Sequence, residues 1–132
     1  MSTLAAPTDA EADPRVAAVF ADIRETRGGD FVNLFWRHLA AQPALLEEVW
    51  GEVKRVMAAP SALDPKVKEM LYAAVSIANG CEYCAHSHTA AAKARGMTDE
   101  EHGDLLRVVG LAAKTNALAD AIRPGIDPEF RA

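Results

Sequence analysis

The sequence has little cysteine and no cluster of positive charge. Its 132 residues include two cysteines, and 14 basic residues against 19 acidic ones give a net charge of -5. The lysines and arginines are scattered along the chain, so the electrostatic footprint that nucleic acids and anionic membranes require is missing. We therefore expect no nucleic-acid partner and no membrane partner.

Long apolar runs are also missing. Half of the residues are hydrophobic, yet the mean hydropathy is close to zero, and no stretch approaches the roughly 20 apolar residues that a membrane helix needs. Residues 1–7 lack the basic start and apolar run of a signal peptide. The sequence therefore predicts a cytoplasmic protein. In that compartment a cysteine pair more often serves redox chemistry or binds a metal than forms a structural disulfide.

Strand signals are absent as well, because no segment alternates apolar and polar residues and no hairpin turn joins two apolar runs. Helix-start signals are frequent: proline follows aspartate at 13–14 and at 64–65, and Thr98 opens a capping box. We predict an all-α protein of about six helices, which begin near residues 14, 30, 43, 65, 81 and 99. Residues 1–12 are predicted to be a mobile arm, 13–123 a single helical domain, and 124–132 a tail.

Two further expectations concern the faces and continuity of these helices. The apolar period of the fourth helix predicts an inward face made of Val67, Met70, Leu71, Ala74 and Ala78. Gly110 marks a point where the sixth helix can bend or split.

The stretch 80–88 holds both cysteines and two of the four histidines. At the start of a helix, a step of about 100° per residue places Cys81, Cys84 and His88 within about 60° of one another on one face. His86 then points to the other side. A helix N-terminus, a nearby imidazole and the Cys-x-x-Cys spacing each favour a thiolate, so we predict a lowered thiol pKa.

Glu69 precedes Cys81 by twelve residues, and His88 follows Cys84 by four. This spacing resembles the alkylhydroperoxidase D branch of the carboxymuconolactone decarboxylase family, whose motif is a glutamate, a twelve-residue step to Cys-x-x-Cys, and a histidine four residues later. The resemblance covers residues 60–122. It implies an AhpD-like helical fold with the cysteines at the N-terminus of the fifth helix, assembled as a homo-oligomer, either a trimer or a hexamer.

The resemblance also implies a chemistry. A thiol-dependent peroxidase of this type reduces small organic hydroperoxides through a Cys81–Cys84 dithiol/disulfide cycle, with Glu69 and His88 as a proton relay. The attacking thiolate becomes a sulfenic acid, the other cysteine condenses with it, and an external thiol or dithiol donor reduces the disulfide. Cys84 is the favoured nucleophile because His88 lies one turn away. No bound cofactor is required, since the cysteines carry the electrons.

One position departs from the family pattern. The best-known members have a histidine immediately before the second cysteine, and this sequence has Tyr83 there. A tyrosine hydroxyl forms hydrogen bonds but does not exchange a proton near neutral pH without a large pKa shift. We therefore assign Tyr83 an auxiliary place in the site rather than a place in the relay.

Three alternatives stay open at this point. Zinc needs four ligands, which the two thiolates, His88 and either Glu69 or His102 would supply. Another branch of the same family decarboxylates a lactone of the carboxymuconolactone type without a cysteine pair. The third alternative is a non-enzymatic helical scaffold that retains an unused motif. Attached haem is excluded in its usual form, because Ala85 stands where that motif has histidine.

Overall fold

The computed structural model describes residues 1–131, and their regular secondary structure is entirely helical. The six α-helices are α1 Pro14–Arg27, α2 Leu34–Leu39, α3 Pro43–Val53, α4 Pro65–Ala78, α5 Glu82–Ala94 and α6 Asp99–Ile122. A π-helical turn extends α3, and short 3-10 turns lie near both ends of the chain. This architecture confirms the predicted all-α fold of six helices, with the cysteines at the start of the fifth.

The helix starts follow from local hydrogen bonding at three predicted caps. Asp13 accepts a hydrogen bond from the backbone N–H of Arg15, and Asp64 accepts one from Lys66, each ahead of a proline at the first helical position. Thr98 forms a complete capping box with Glu101. These side chains satisfy backbone donors that the first helical turn leaves without partners.

The second helix begins later than the sequence predicts, and the sixth is not interrupted. Val32 is fully buried, and its carbonyl accepts a hydrogen bond from Arg37 Nε at 2.8 Å. Asn33 has an extended backbone, and α2 starts only after it. The sixth helix runs without a break through Gly110. One glycine in a helix interior costs only about 1 kcal/mol, which the rest of a 24-residue helix tolerates.

Residues 1–61 form one compact unit. Its core is apolar and aromatic, and Trp36 meets Trp50 edge to face with ring centroids 5.4 Å apart. The indole N–H of Trp50 donates to Asp22 at 2.7 Å, which satisfies the one polar group of that buried ring. The buried members of this core are Val16, Val19, Phe20, Ile23, Val32, Trp36, Ala40, Leu46 and Trp50.

The second unit begins at Ala62 and contains α4, α5 and α6. Helix α4 packs along α5 and also contacts α6. The buried apolar cluster here is small, consisting of Ala92, Met97 and Leu105 with Met70, Ile77 and Val109 packed against it. The division of the chain into an arm, a domain and a tail stays a prediction.

The predicted inward face of α4 is wrong at several positions. Val67 and Leu71 are 38% and 52% exposed, and Ala78 is exposed too. The buried side of this helix instead carries Glu69, Ala73 and Ser76. Met70 and Ile77 pack partly buried against the apolar cluster, whereas Val67, Leu71 and Val75 are exposed. Within residues 1–131, every helix is too short or too polar to cross a lipid bilayer.

Candidate active site

The turn between α4 and α5 fixes the position of the first cysteine. Gly80 adopts a left-handed conformation with φ of 70°, which a residue without a side chain adopts at little cost. The chain then reverses, and the backbone N–H of Cys81 donates to the carbonyl oxygen of Ser76 at 2.9 Å. Cys81 is therefore anchored to the end of α4 at the point where it becomes the N-cap of α5.

Cys81 and Cys84 form a disulfide whose Cα atoms are 5.4 Å apart. The backbone N–H of Cys84 also donates to Cys81 Sγ at 3.3 Å. After reduction, a thiolate at Cys81 would keep this N–H donor and would lie at the positive end of the helix dipole. A cysteine in a disulfide does not titrate, so the lowered thiol pKa stays a prediction for the reduced protein.

Glu69 and His88 form a close pair across the α4–α5 contact. His88 Nδ1 lies 2.7 Å from Glu69 Oε2, and the glutamate is only 8% exposed. A neutral imidazole that donates from Nδ1 to a carboxylate has its Nε2 atom available as a proton acceptor. Because His88 follows Cys84 by one helical turn on α5, this acceptor belongs to the same helix face as the second thiol.

Two residues that the sequence reasoning did not single out complete the surroundings of this pair. The ring of Tyr72 stacks on the His88 imidazole, with centroids 3.6 Å apart and planes 21° from parallel. Arg95 Nε lies 3.9 Å from Glu69 Oε1, an ion-pair distance that is too long for a hydrogen bond. The spacing of Tyr72, three residues after Glu69, makes the two side chains neighbours on the surface of α4, but it does not indicate a stack with a residue of another helix.

The remaining residues named from the sequence lie outside this pair. Tyr83 is 42% exposed on the first turn of α5, and His86 is also exposed. His102 is partly buried near the start of α6. No three side chains of histidine, cysteine, aspartate or glutamate within residues 1–131 come together in the way a metal site requires.

The fold and the site define an all-helical protein in which a Cys-x-x-Cys disulfide precedes, by one helical turn, a histidine paired with a buried glutamate. The model of the carboxymuconolactone decarboxylase family matches residues 43–126. The chain therefore belongs to the carboxymuconolactone decarboxylase family. The matched segment is longer than residues 60–122, which the resemblance in the sequence covers.

Within that family the chain is AhpD-like. It is similar to the crystal structure of the alkylhydroperoxidase AhpD core from Rhodospirillum rubrum ATCC 11170, at 54% sequence identity and a TM-score of 0.96. The similarity covers 100% of this chain and 98% of that chain. No curated protein matches the sequence.

Proposed function

We propose that this protein is an alkylhydroperoxidase-type enzyme that reduces organic hydroperoxides through Cys81 and Cys84. The observation that carries the proposal is the disulfide at the start of α5, one turn before a histidine that a buried carboxylate holds at 2.7 Å. The similarity to an alkylhydroperoxidase core over the whole chain supports the same reaction class.

The first half of the cycle oxidises Cys84. His88 accepts the thiol proton, and Glu69 stabilises the resulting imidazolium. The thiolate then attacks the terminal oxygen of the hydroperoxide, an S–O bond forms, and the O–O bond breaks. Sulfur loses two electrons and becomes a sulfenic acid, while the departing alkoxide takes the proton from His88 and leaves as an alcohol.

The second half of the cycle closes the disulfide. Cys81, as a thiolate held by the N–H of Cys84, attacks the sulfenic sulfur. The S–S bond forms, the S–O bond breaks, and the hydroxide takes up the proton that the Cys81 thiol released and leaves as water. An external dithiol returns two electrons and two protons to regenerate both thiols. A reducing cytoplasm would supply such a donor, and the cycle requires no bound cofactor.

The relay in this proposal consists of Glu69 and His88. Tyr83 stands where the best-known relatives have a histidine, and it is 42% exposed. A phenol at that position can form hydrogen bonds with its hydroxyl group. Tyr83 therefore has an auxiliary role at the rim of the site, in contact with the solvent from which substrate arrives.

The exposed apolar faces support assembly into a homo-oligomer, which we propose to be a trimer or a hexamer. Large exposed apolar patches on a water-soluble protein mark interaction surfaces, since burying them is worth about 25 cal/mol for each Å². Exposed apolar residues recur along both long helices of the second unit: Val67, Leu71 and Val75 on α4, and Val108, Leu111, Leu118 and Ile122 on α6.

Steady-state consumption of tert-butyl hydroperoxide with dithiothreitol as donor tests the reaction. The wild-type enzyme should consume peroxide catalytically, and Cys84→Ser should reduce the rate to that of dithiothreitol alone. In Cys81→Ser, a dimedone adduct should form at Cys84, because the sulfenic acid has no partner for condensation. His86→Gln removes an exposed histidine of the same helix and serves as the matched control.

The alternative outcomes of this experiment are distinct. Peroxide consumption that survives Cys84→Ser would contradict the thiol mechanism. Decarboxylation of a carboxymuconolactone that also survives Cys84→Ser would favour the lactone chemistry of the other family branch. A protein with neither activity would be a helical scaffold with an unused motif.

A further inference from the structure

We propose that Tyr72 is a positioning residue, which fixes the plane of the His88 imidazole by ring stacking. This inference rests on the proposed function, in which His88 accepts the thiol proton. The two rings lie with centroids 3.6 Å apart and planes 21° from parallel. Stacked aromatic pairs contribute favourably beyond the area that they bury, so this contact restrains the orientation of the imidazole.

The stack supplies a restraint that the carboxylate alone does not. The hydrogen bond from His88 Nδ1 to Glu69 fixes one point of the ring. The terminal torsion of a histidine side chain has a broad energy minimum, so the imidazole still rotates about that point. A ring lying against its face removes this rotation. The direction of Nε2 is therefore set by two contacts, one in the plane of the imidazole and one perpendicular to it.

Both contacts come from one face of α4. Glu69 and Tyr72 are three residues apart, a spacing that makes them neighbours on a helix surface. Ser76 lies one turn further along, where its hydroxyl donates to the Tyr72 carbonyl at 2.8 Å. The carbonyl of Ser76 in turn accepts the N–H of Cys81. A single helical segment thus sets the position of the first cysteine, the partner of Nδ1 and the plane of the imidazole.

The ring of Tyr72, rather than its hydroxyl, makes this contact. Tyr72 is 40% exposed, so its replacement removes the stack without leaving a buried cavity. Tyr72→Phe retains the ring and removes the hydroxyl. Tyr72→Leu removes the ring and keeps an apolar side chain at the same position. The two variants therefore separate stacking from hydroxyl chemistry.

Two measurements on the reduced protein test the inference, and neither uses peroxide. The His88 ring protons should show an upfield ring-current shift by NMR in the wild type and in Tyr72→Phe, and should lose this shift in Tyr72→Leu. Alkylation of Cys84 by iodoacetamide at neutral pH should be about three- to tenfold slower in Tyr72→Leu, as expected for the loss of one stacked pair. Tyr72→Phe should react at the wild-type rate.

Phe31→Leu makes the same aromatic-to-leucine change at an exposed position outside the site and should change neither measurement. Circular dichroism verifies the helical content of each variant, and Tyr72→Gln replaces Tyr72→Leu if the latter does not fold. The inference is overturned if Tyr72→Leu retains the ring-current shift or the alkylation rate. It is also overturned if Tyr72→Phe loses as much reactivity as Tyr72→Leu. A protein without peroxidase activity that passes both measurements would refute the proposed function and leave the positioning role standing.

Discussion

Nδ1 of His88 lies 2.7 Å from Oε2 of Glu69, a residue on the neighbouring helix nineteen positions earlier in the chain. The glutamate is almost fully buried, and a buried carboxylate is costly unless it has a polar partner. The contact with His88 therefore explains why the carboxylate of Glu69 is stable on the buried side of α4. It also gives the histidine one defined tautomer, with Nε2 as the acceptor, when the imidazole is neutral.

Replacement of Glu69 by glutamine tests the relay. The Glu69→Gln change keeps the shape of the side chain but removes the charge that stabilises the imidazolium, so kcat/KM for hydroperoxide should fall about 100-fold. The measurement is the initial rate over a range of hydroperoxide concentrations. Glu100→Gln, at an exposed position of α6, is the matched control and should keep the wild-type rate. A loss of less than about threefold in Glu69→Gln, far below the range for a proton-transfer group, would show that the carboxylate is dispensable.

Gly80 and Gly110 should respond in opposite directions to alanine. The positive φ of Gly80 makes Gly80→Ala destabilising by about 1 kcal/mol, although an added Cβ meets nothing within 4 Å. Gly110 lies inside α6, where an added Cβ also meets nothing within 4 Å. Because alanine restricts the unfolded chain more than glycine does, Gly110→Ala should stabilise the protein by about 0.5 kcal/mol. Denaturant unfolding measures both. Equal effects of the two substitutions would contradict the left-handed turn before the cysteines.

Asp22 links stability to pH in the first unit. Hydrogen bonds from Lys54 and then from Trp50 lower the pKa of this carboxyl from its ordinary 3.8. A lowered folded-state pKa gives stability that is present above the ordinary value and is lost as the pH falls through the folded one. The free energy of unfolding of the wild type should therefore approach that of Asp22→Asn as the pH falls below the ordinary value of 3.8. Asp120→Asn, an exposed carboxylate of α6, is the control, and a constant difference between wild type and Asp22→Asn would contradict the assignment.

A charge on the exposed face of α4 should disrupt the proposed oligomer. Leu71 is 52% exposed on this face, and Leu71→Lys would require a lysine to be buried between subunits. Light scattering coupled to size exclusion should show a trimer or hexamer for the wild type and smaller species for Leu71→Lys. Glu100→Lys introduces the same side chain at an exposed polar position and should leave the mass unchanged. A monomeric wild type would refute the assembly.

Helix-capping patterns in the sequence predicted where several helices begin. They did not predict the start of α2, which depends on the burial of one side chain. Asp13, Asp64 and Thr98 begin helices because each cap depends on a few neighbouring residues. The late start of α2 depends on Val32, whose burial in the core no local pattern reports.

The face of α4 could not be predicted for a related reason. Hydrophobic period identifies an apolar side of a helix but not the surface that covers it. In this chain Glu69 and Ser76 lie on the covered side, whereas Leu71 is exposed. The motif spacing selected Glu69 and His88 but not Tyr72, since a stack between two helices is a property of their packing.

Titration of the reduced protein with tert-butyl hydroperoxide, followed by intact mass and thiol counting, tests the central claim most directly. We predict that one equivalent of peroxide removes both free thiols, forms the Cys81–Cys84 disulfide and releases one equivalent of tert-butanol. Cys84→Ser should retain its single thiol under the same conditions. Two free thiols remaining in the wild type after peroxide addition, with the peroxide intact, would contradict the thiol mechanism.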